Sequence, residues 1–334
     1  MKILVTGATG FIGNAFTKAL IDGKVGYDIY CTFRNSSQID TLEKLNVKLV
    51  KFELMDHSTF TPAVKGMDIV VHFASYYKNW HRAPKDVLFS HTVEATQKLA
   101  ETCLEAEVKH FVYCSTTEAL GIVTNGTEES DYNPDETYGK AKMETEKILL
   151  EMEDLPLTIA RPTGVIGFGD CYPFNDIILA VDRGLILFPK FLPGSGKGTI
   201  HWTDIDDVVQ GFIKIIQMPK KSIGEIFHLA SDCAQTWNKV VEVLCKNLDI
   251  KSSTYHIPVF LAKIGVPVFI LYYKLRGVNN FVLYPNAVKK LQTSRSYCNL
   301  KAKTKLGFDP VIDFDTSVKK AVLWLRKQGK LRDK

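Results

Sequence analysis

Tyr138 and Lys142 stand four residues apart in "YGKAKMETEKILLEME", a run of strong helix formers, so a helix there puts both side chains on one face. A phenol titrates near pH ~10, and it can act as acid or base at neutral pH only beside a cation that favours phenolate. Lys142 would supply that field. The spacing alone is common: Tyr297 and Lys301 repeat it in a stretch with no other mark of a site. The first pair differs in following a hydroxyl-bearing stretch, "CSTTEALG", Cys114 to Gly121. That stretch admits two chemistries. Thr116, with Ser115 as the neighbouring alternative, could steady a carbonyl oxygen during hydride transfer. Thr116, Thr117 and Glu118 could instead be the acid/base set of a dehydratase, the carboxylate removing a carbon-bound proton.

Either chemistry needs a scaffold. Short β-branched runs punctuate the first two thirds of the chain: "KILVT", "DIYCTF", "KLVKFE", "DIVVHFA", "HFVYCS", "LTIAR" and "EIFHLA". Between them lie segments of helical spacing, such as "IGNAFTKALIDG" and "VEATQKLAETCLEA". Strands this apolar, alternating with helices, imply an α/β fold with a doubly wound, Rossmann-like parallel sheet covered on both faces. After Ala230 the alternation fades into helical stretches broken by Pro258, Pro267, Pro285 and Pro310. These would form a smaller, mostly helical C-terminal lid over the sheet's carboxyl edge. The expected division is a nucleotide-binding domain of residues 1-167 and 199-230, and a substrate lid of 168-198 and 231-334.

"VTGATGFIG" sets Gly7, Gly10 and Gly13 between the first strand and the first helix. Glycines there let the backbone approach a pyrophosphate, whose charge meets free N–H groups and the helix N-terminal dipole. The second strand ends in "CTFRNSS", with no carboxylate to hold a ribose 2′-hydroxyl. Arg34 could pair with a 2′-phosphate, helped by Ser36 and Ser37, which favours NADP and leaves NAD as the alternative. "PGSGKGT", Pro193 to Thr199, imitates a nucleotide-kinase phosphate loop. Its first glycine would fall on Phe191, and the following "IHWTD" reads as extended chain, so it is expected to be a glycine-rich turn.

With 334 residues, 46% hydrophobic and 24% charged, the chain can bury a large core. A net charge of +5, spread along the chain apart from the tail "KKAVLWLRKQGKLRDK", suits a small-molecule substrate and not nucleic acid. Seven scattered cysteines form neither a disulfide framework nor a metal site. "MKILVTGATG" enters a strand directly from Met, without the pattern of a secretory signal, so a cytoplasmic location is expected.

The chain resembles the extended short-chain dehydrogenase/reductases. The resemblance runs through "TGATGFIG", "HFVYCSTTEALG", "YGKAK", "RPTGVIGFGD" and "DIDDVVQGF", and more loosely to "KLGFDPVIDFDTSVKKAVLWL", nearly the whole chain. It implies that Tyr138 is the general acid/base, Lys142 its partner and ribose contact, and Thr116 the hydroxyl on the substrate oxygen. By the same resemblance Gly7, Thr9, Gly10, Phe11, Ile12, Gly13 and Ala74 lie by the pyrophosphate, Glu53 and Leu54 on the adenosine side, and Pro162 to Val165 along the nicotinamide. A homodimer is compatible with it. Thr92 stands where many members have asparagine, as in dihydroflavonol-reductase-like members, so a proton relay through that position is not implied.

Nucleotide-sugar dehydratases of this family carry Thr-Asp-Glu or Thr-Ser-Glu where this chain has "TTE", yet steroid-dehydrogenase-like members also carry Glu there. "ARPTGVIGFGD" and "HFASYYKNW" resemble the 3β-hydroxysteroid dehydrogenase and dihydroflavonol reductase branch. The expectation is therefore an NADP-dependent oxidoreductase interconverting a ketone and a secondary alcohol on a mostly apolar substrate. A nucleotide-sugar epimerase or 4,6-dehydratase is the alternative, and a non-catalytic NADP-sensing protein a further one, against which the intact Tyr138/Lys142 pair argues. Tyr76, Tyr77, Trp80, Tyr172 and Trp202 could line the pocket, or be plain core. The run "IPVFLAKIGVPVFILYY", Ile257 to Tyr273, is too short to span a bilayer and contains Lys263 and Pro267. It is expected to be a buried helical pair roofing the pocket, with a peripheral membrane segment as the alternative.

Overall fold

In a computed structural model, the described residues are all of 1–334 except 24–25, 35–38, 46, 77–82, 170–171, 185–189, 252–253, 276–286 and 333–334. The chain runs through β1 (Lys2–Thr6), α1 (Phe11–Asp22), β2 (Asp28–Phe33), α2 (Asp40–Glu43), β3 (Lys48–Lys51), α3 (Phe60–Val64), β4 (Ile69–His72), α4 (Lys85–Phe89), α5 (Ala95–Glu105), β5 (His110–Cys114), α6 (Thr137–Leu150) and β6 (Leu157–Pro162). It continues through β7 (Gly164–Ile166), α7 (Phe174–Asp182), β8 (Phe191–Pro193), β9 (Thr199–Ile200), β10 (Trp202–Asp204), α8 (Ile205–Gln217), α9 (Pro219–Ser222), β11 (Glu225–Leu229), β12 (Gln235–Thr236) and α10 (Trp237–Leu248). Last come β13 (Tyr255–Ile257), α11 (Val259–Leu275), α12 (Ala287–Gln292), α13 (Leu300–Leu306) and α14 (Phe314–Lys327).

The seven β-branched runs read from the sequence are the seven strands of one parallel sheet, ordered β3-β2-β1-β4-β5-β6-β11. The chain winds outward from β1 to β3, then returns to β4 and winds the other way, so the switch point lies between β1 and β4. Register sets Thr6 beside His72, Cys114 beside Ala160 and Leu229 beside Pro162, so the carboxyl ends form one edge. Strand residues alternate between two cores, as the period of two requires. Ile3 and Val5 pack with Phe16, Leu20, Val208 and Phe212 on one face. Leu4 packs with Leu99, Cys103, Phe111 and Leu149 on the other. Each fully buried side chain of this size contributes about 1.5–3 kcal/mol.

Beyond the carboxyl edge a third core joins Ile166, Phe174 and Trp202 to Trp237, Val241 and Leu244 of α10 and Val318 and Leu325 of α14. The helices α10 and α14 start where Thr236 and Asp313 accept the N–H of Lys239 and Thr316. α13 and Phe308 return to the first core, beside α8. The turn Gly194–Lys197 follows the three-residue strand β8, a strand that the spacing did not announce, and leads into β9 instead of opening a helix. The apolar run forms one helix, α11, not a pair, because Pro267 removes a single backbone donor and the helix continues past it.

Candidate active site

The first turn after β1 is shaped for close backbone approach. Gly7 has φ +68°, and a Cβ on it would lie 2.7 Å from the Ala74 nitrogen. A Cβ on Gly13 would lie 2.3 Å from the Gly7 carbonyl oxygen, so loop and helix touch backbone to backbone. The Gly10 N–H donates to Gly7 O at 2.9 Å, and Gly10 caps α1 without a side-chain acceptor. The first-turn N–H groups of Phe11, Ile12 and Gly13 thus lack helical partners and face whatever lies beyond the sheet edge. A dinucleotide pyrophosphate fits that cradle. Thr9 lies within the turn, and Phe11 packs on Gly169 and joins the first and third cores. Thr6 holds the other side: its hydroxyl bonds His72 Nδ1 at 2.7 Å and accepts the Ala74 N–H at 3.3 Å. Burial and the Lys142 charge depress His72 to about 3, so it stays neutral between Thr6 and Thr96.

Tyr138 and Lys142 are both buried on the inner face of α6, as the four-residue spacing requires. Lys142 Nζ donates to Cys114 O at 2.8 Å and lies 4.6 Å from the Tyr113 ring centre and 5.9 Å from that of Tyr138. Burial lowers the Lys142 pKa to about 8, against the opposing influence of Cys114 and Glu146. Tyr138 packs among Leu88, Val93 and Ala141, with Tyr76, Phe89 and Ile148 at the margin. Gly139 makes the approach to the hydroxyl stretch: a Cβ there would lie 2.3 Å from the Glu118 carbonyl oxygen. The turn Thr117–Ala119 is thereby held against Tyr138's helix. Thr116 caps that turn, its Oγ1 accepting the Glu118 N–H at 3.2 Å, which leaves the hydroxyl hydrogen to donate elsewhere.

The structure separates the two candidate hydroxyls. Ser115 is buried and its hydroxyl donates to Glu146 Oε1, away from the turn. Glu146 in turn binds Arg161, 2.6 Å from Nη2 to Oε2 with both side chains at 1% exposure or less. Tyr132 donates to Glu146 Oε2 at 2.7 Å and accepts from Arg161 Nη2 at 2.9 Å. Sequence reasoning missed this cluster, although an arginine inside an apolar strand had to have a partner, and Glu146 lies one turn beyond Lys142. Glu118 is also engaged: Arg295 Nη1 donates to its Oε2 at 2.9 Å while Nη2 holds Asp135 at 2.8 Å. Tyr297 is a structural residue in this neighbourhood, donating to Gly121 O at 2.8 Å, and Lys301 pairs with Glu225 at 2.8 Å.

Other expected positions fall along the same edge. Ala74 follows β4; Pro162 ends β6 and the half-buried Val165 lies in β7. Glu53 and Leu54 sit half-buried beyond β3, the Glu53 N–H donating to Thr59 Oγ1 at 3.1 Å. Arg34 is exposed directly after β2; Ser36 and Ser37 lie outside the described residues, as do Tyr77 and Trp80. Thr92, buried on a π-helical turn ahead of α5, bonds Ser75 at 3.4 Å. Tyr76 meets the His91 ring edge-on at 5.4 Å, whereas Trp202 belongs to the third core, against Phe174. Among the described residues there is no cluster of metal ligands.

Residues 3–230 match the model of the NAD dependent epimerase/dehydratase family. The chain is similar to mouse sterol-4-alpha-carboxylate 3-dehydrogenase, decarboxylating, at 26% identity over 96% of this chain and 90% of that protein. It is also similar to the dTDP-D-glucose 4,6-dehydratase of Dictyostelium discoideum, at 28% identity over 69% of this chain and 58% of the other. The crystal structure of gox2253 superposes with a TM-score of 0.82 over 99% of both chains at 23% identity, a likeness of fold.

Proposed function

The chain belongs to the NAD dependent epimerase/dehydratase family and is an NAD(P)-dependent oxidoreductase acting on CH–OH groups; from that premise we propose that it interconverts a ketone and a secondary alcohol on a polycyclic, steroid-like substrate, with NADP preferred. One observation carries the choice. Tyr138 lies in an apolar cluster with Lys142 near its ring, while Glu118, the carboxylate that a dehydratase would need free, is held by Arg295. The sterol-acting relative supports the apolar substrate, since it aligns over nearly the full chain, and the dehydratase relative over less.

A dinucleotide held along the sheet edge would supply the hydride in the reductive direction. Thr116 donates its hydroxyl hydrogen to the substrate carbonyl oxygen, and Tyr138 gives its phenolic proton to the same oxygen as charge develops there. Lys142, fixed by the Cys114 carbonyl, stabilises the phenolate left behind and would hold the nicotinamide ribose. The glycine turn and α1 would hold the pyrophosphate, and Arg34 the 2′-phosphate. The apolar residues around Tyr138 exclude water from the proton transfer.

The test compares NADPH oxidation driven by a 3-ketosteroid with turnover of dTDP-glucose, in the wild type and in Glu118→Gln. Ketone reduction is expected, changed less than about fivefold by the substitution, since no step uses that carboxylate. Formation of a 4-keto-6-deoxy sugar that collapses in Glu118→Gln would overturn the proposal in favour of elimination chemistry.

A further inference from the structure

α11 turns an apolar face outward. Phe260, Leu261, Ile264, Val268 and Leu271 are 62%, 49%, 66%, 64% and 58% exposed. At 100° per residue, Phe260, Ile264, Val268 and Leu271 fall within an arc of about 80°, with Leu261 at its margin. Ala262, on the opposite side, is buried. At about 26 Å the helix could not cross a bilayer upright, and Lys263 and Pro267 lie within it. No helix among the described residues is long and apolar enough to cross a membrane.

The charge around this helix is one-sided. Between Asp249 and Asp309 the sequence has ten Lys and Arg and no Asp or Glu, whereas the rest of the chain has 32 basic and 37 acidic residues. Arg295, Lys301, Lys303 and Lys305 are taken up by Glu118, Asp135, Glu225 and Asp232. Lys251, Lys263 and Lys289 are exposed and make no ion pair among the described residues. Tyr255, 58% exposed, meets Phe191 at 6.0 Å between centroids, three residues before the proline that leads into α11. An exposed apolar helix face that carries Lys263 on its own helix, with Lys251 and Lys289 and an exposed tyrosine in the flanking segments, matches a bilayer interface with anionic headgroups. A second copy of the chain fits worse, because two-fold pairing would set this cationic surface against itself.

We propose that α11 lies in the plane of an anionic lipid surface, with Phe260, Leu261, Ile264, Val268 and Leu271 among the acyl chains and Lys251, Lys263 and Lys289 at the headgroups. The inference rests on the helix and its cations, and stands whatever the active site reduces.

Flotation of the full chain with vesicles of phosphatidylcholine and phosphatidylserine, against phosphatidylcholine alone, tests it. The wild type is expected to float with the mixed vesicles and about tenfold less with the neutral ones, and to be released at about 0.5 M salt. Phe260→Ser/Ile264→Ser/Val268→Ser should lose roughly tenfold or more in partitioning, and Lys251→Ala/Lys263→Ala/Lys289→Ala about fivefold per cation at most, both with unchanged circular dichroism and NADPH binding. Failure of the wild type to float, or flotation of the serine variant equal to it, would sink the proposal. So would a lipid-free dimer that the serine variant converts to monomer, since the face would then belong to a second copy.

Discussion

Lys142 is buried as a cation, and that makes the proposed chemistry pH-dependent in a stated direction. Its folded pKa of about 8 lies below the ~10.4 of an exposed lysine. Below pH 8 both folded and unfolded chains carry the proton. Between the two values the unfolded chain binds more protons, so this group adds stability as pH rises. Activity should move the other way: kcat/KM for ketone reduction should fall above about pH 8, as the charge that steadies phenolate is lost. A parallel melting series identifies the fall as catalytic if this group's stability trend is upward. Tyr138→Phe should lose roughly 10²–10⁴ in turnover with NADPH affinity nearly intact, and a flat profile to pH 10 together with an active variant would remove both residues from the mechanism. Arg34 is the residue on which the NADP preference rests. Arg34→Ala should weaken NADPH tenfold or more by calorimetry and NADH only a few-fold; equal losses would make it an ordinary surface arginine.

At the level of elements, the site depends on how β5, β6 and α6 are locked together. Glu146 of α6 accepts from Ser115 after β5, from Arg161 of β6 and from Tyr132. The lock sits immediately behind Lys142 and the Thr116 turn. Arg161→Met leaves Glu146 buried without its guanidinium, and should cost about 3–5 kcal/mol by chemical denaturation, whereas Glu146→Leu/Arg161→Met should recover most of that loss. A double variant as unstable as the single one would mean that the pair does not share one free energy. Propensity made α6 readable from the sequence, and a four-residue spacing made its inner face readable. The partners of that face were not readable, because Ser115, Glu146 and Arg161 come from three elements whose adjacency is created by the winding of the sheet.

Across the whole molecule, the parallel sheet, the glycine turn and the Tyr138/Lys142 pair were determined by the sequence itself. They follow from periods of two and 3.6 residues and from backbone room at Gly7 and Gly13, all properties of short stretches of chain. The NADP preference and the choice of substrate remain readings of Arg34 and of the apolar wall around Tyr138. Tertiary structure decided the rest. Glu118 meets Arg295 across 177 residues, which turns a candidate base into an ion-pair partner. Ser115 and Thr116, adjacent in the chain, point to different partners because extended backbone sends successive side chains to opposite sides. The run from Ile257 to Tyr273 reads as core by composition, yet its described apolar side chains are largely exposed. Hydrophobicity dictates that such a run leave water; which surface it leaves water for is set by the elements packed around it, and those are brought together by the long-range closure of the fold.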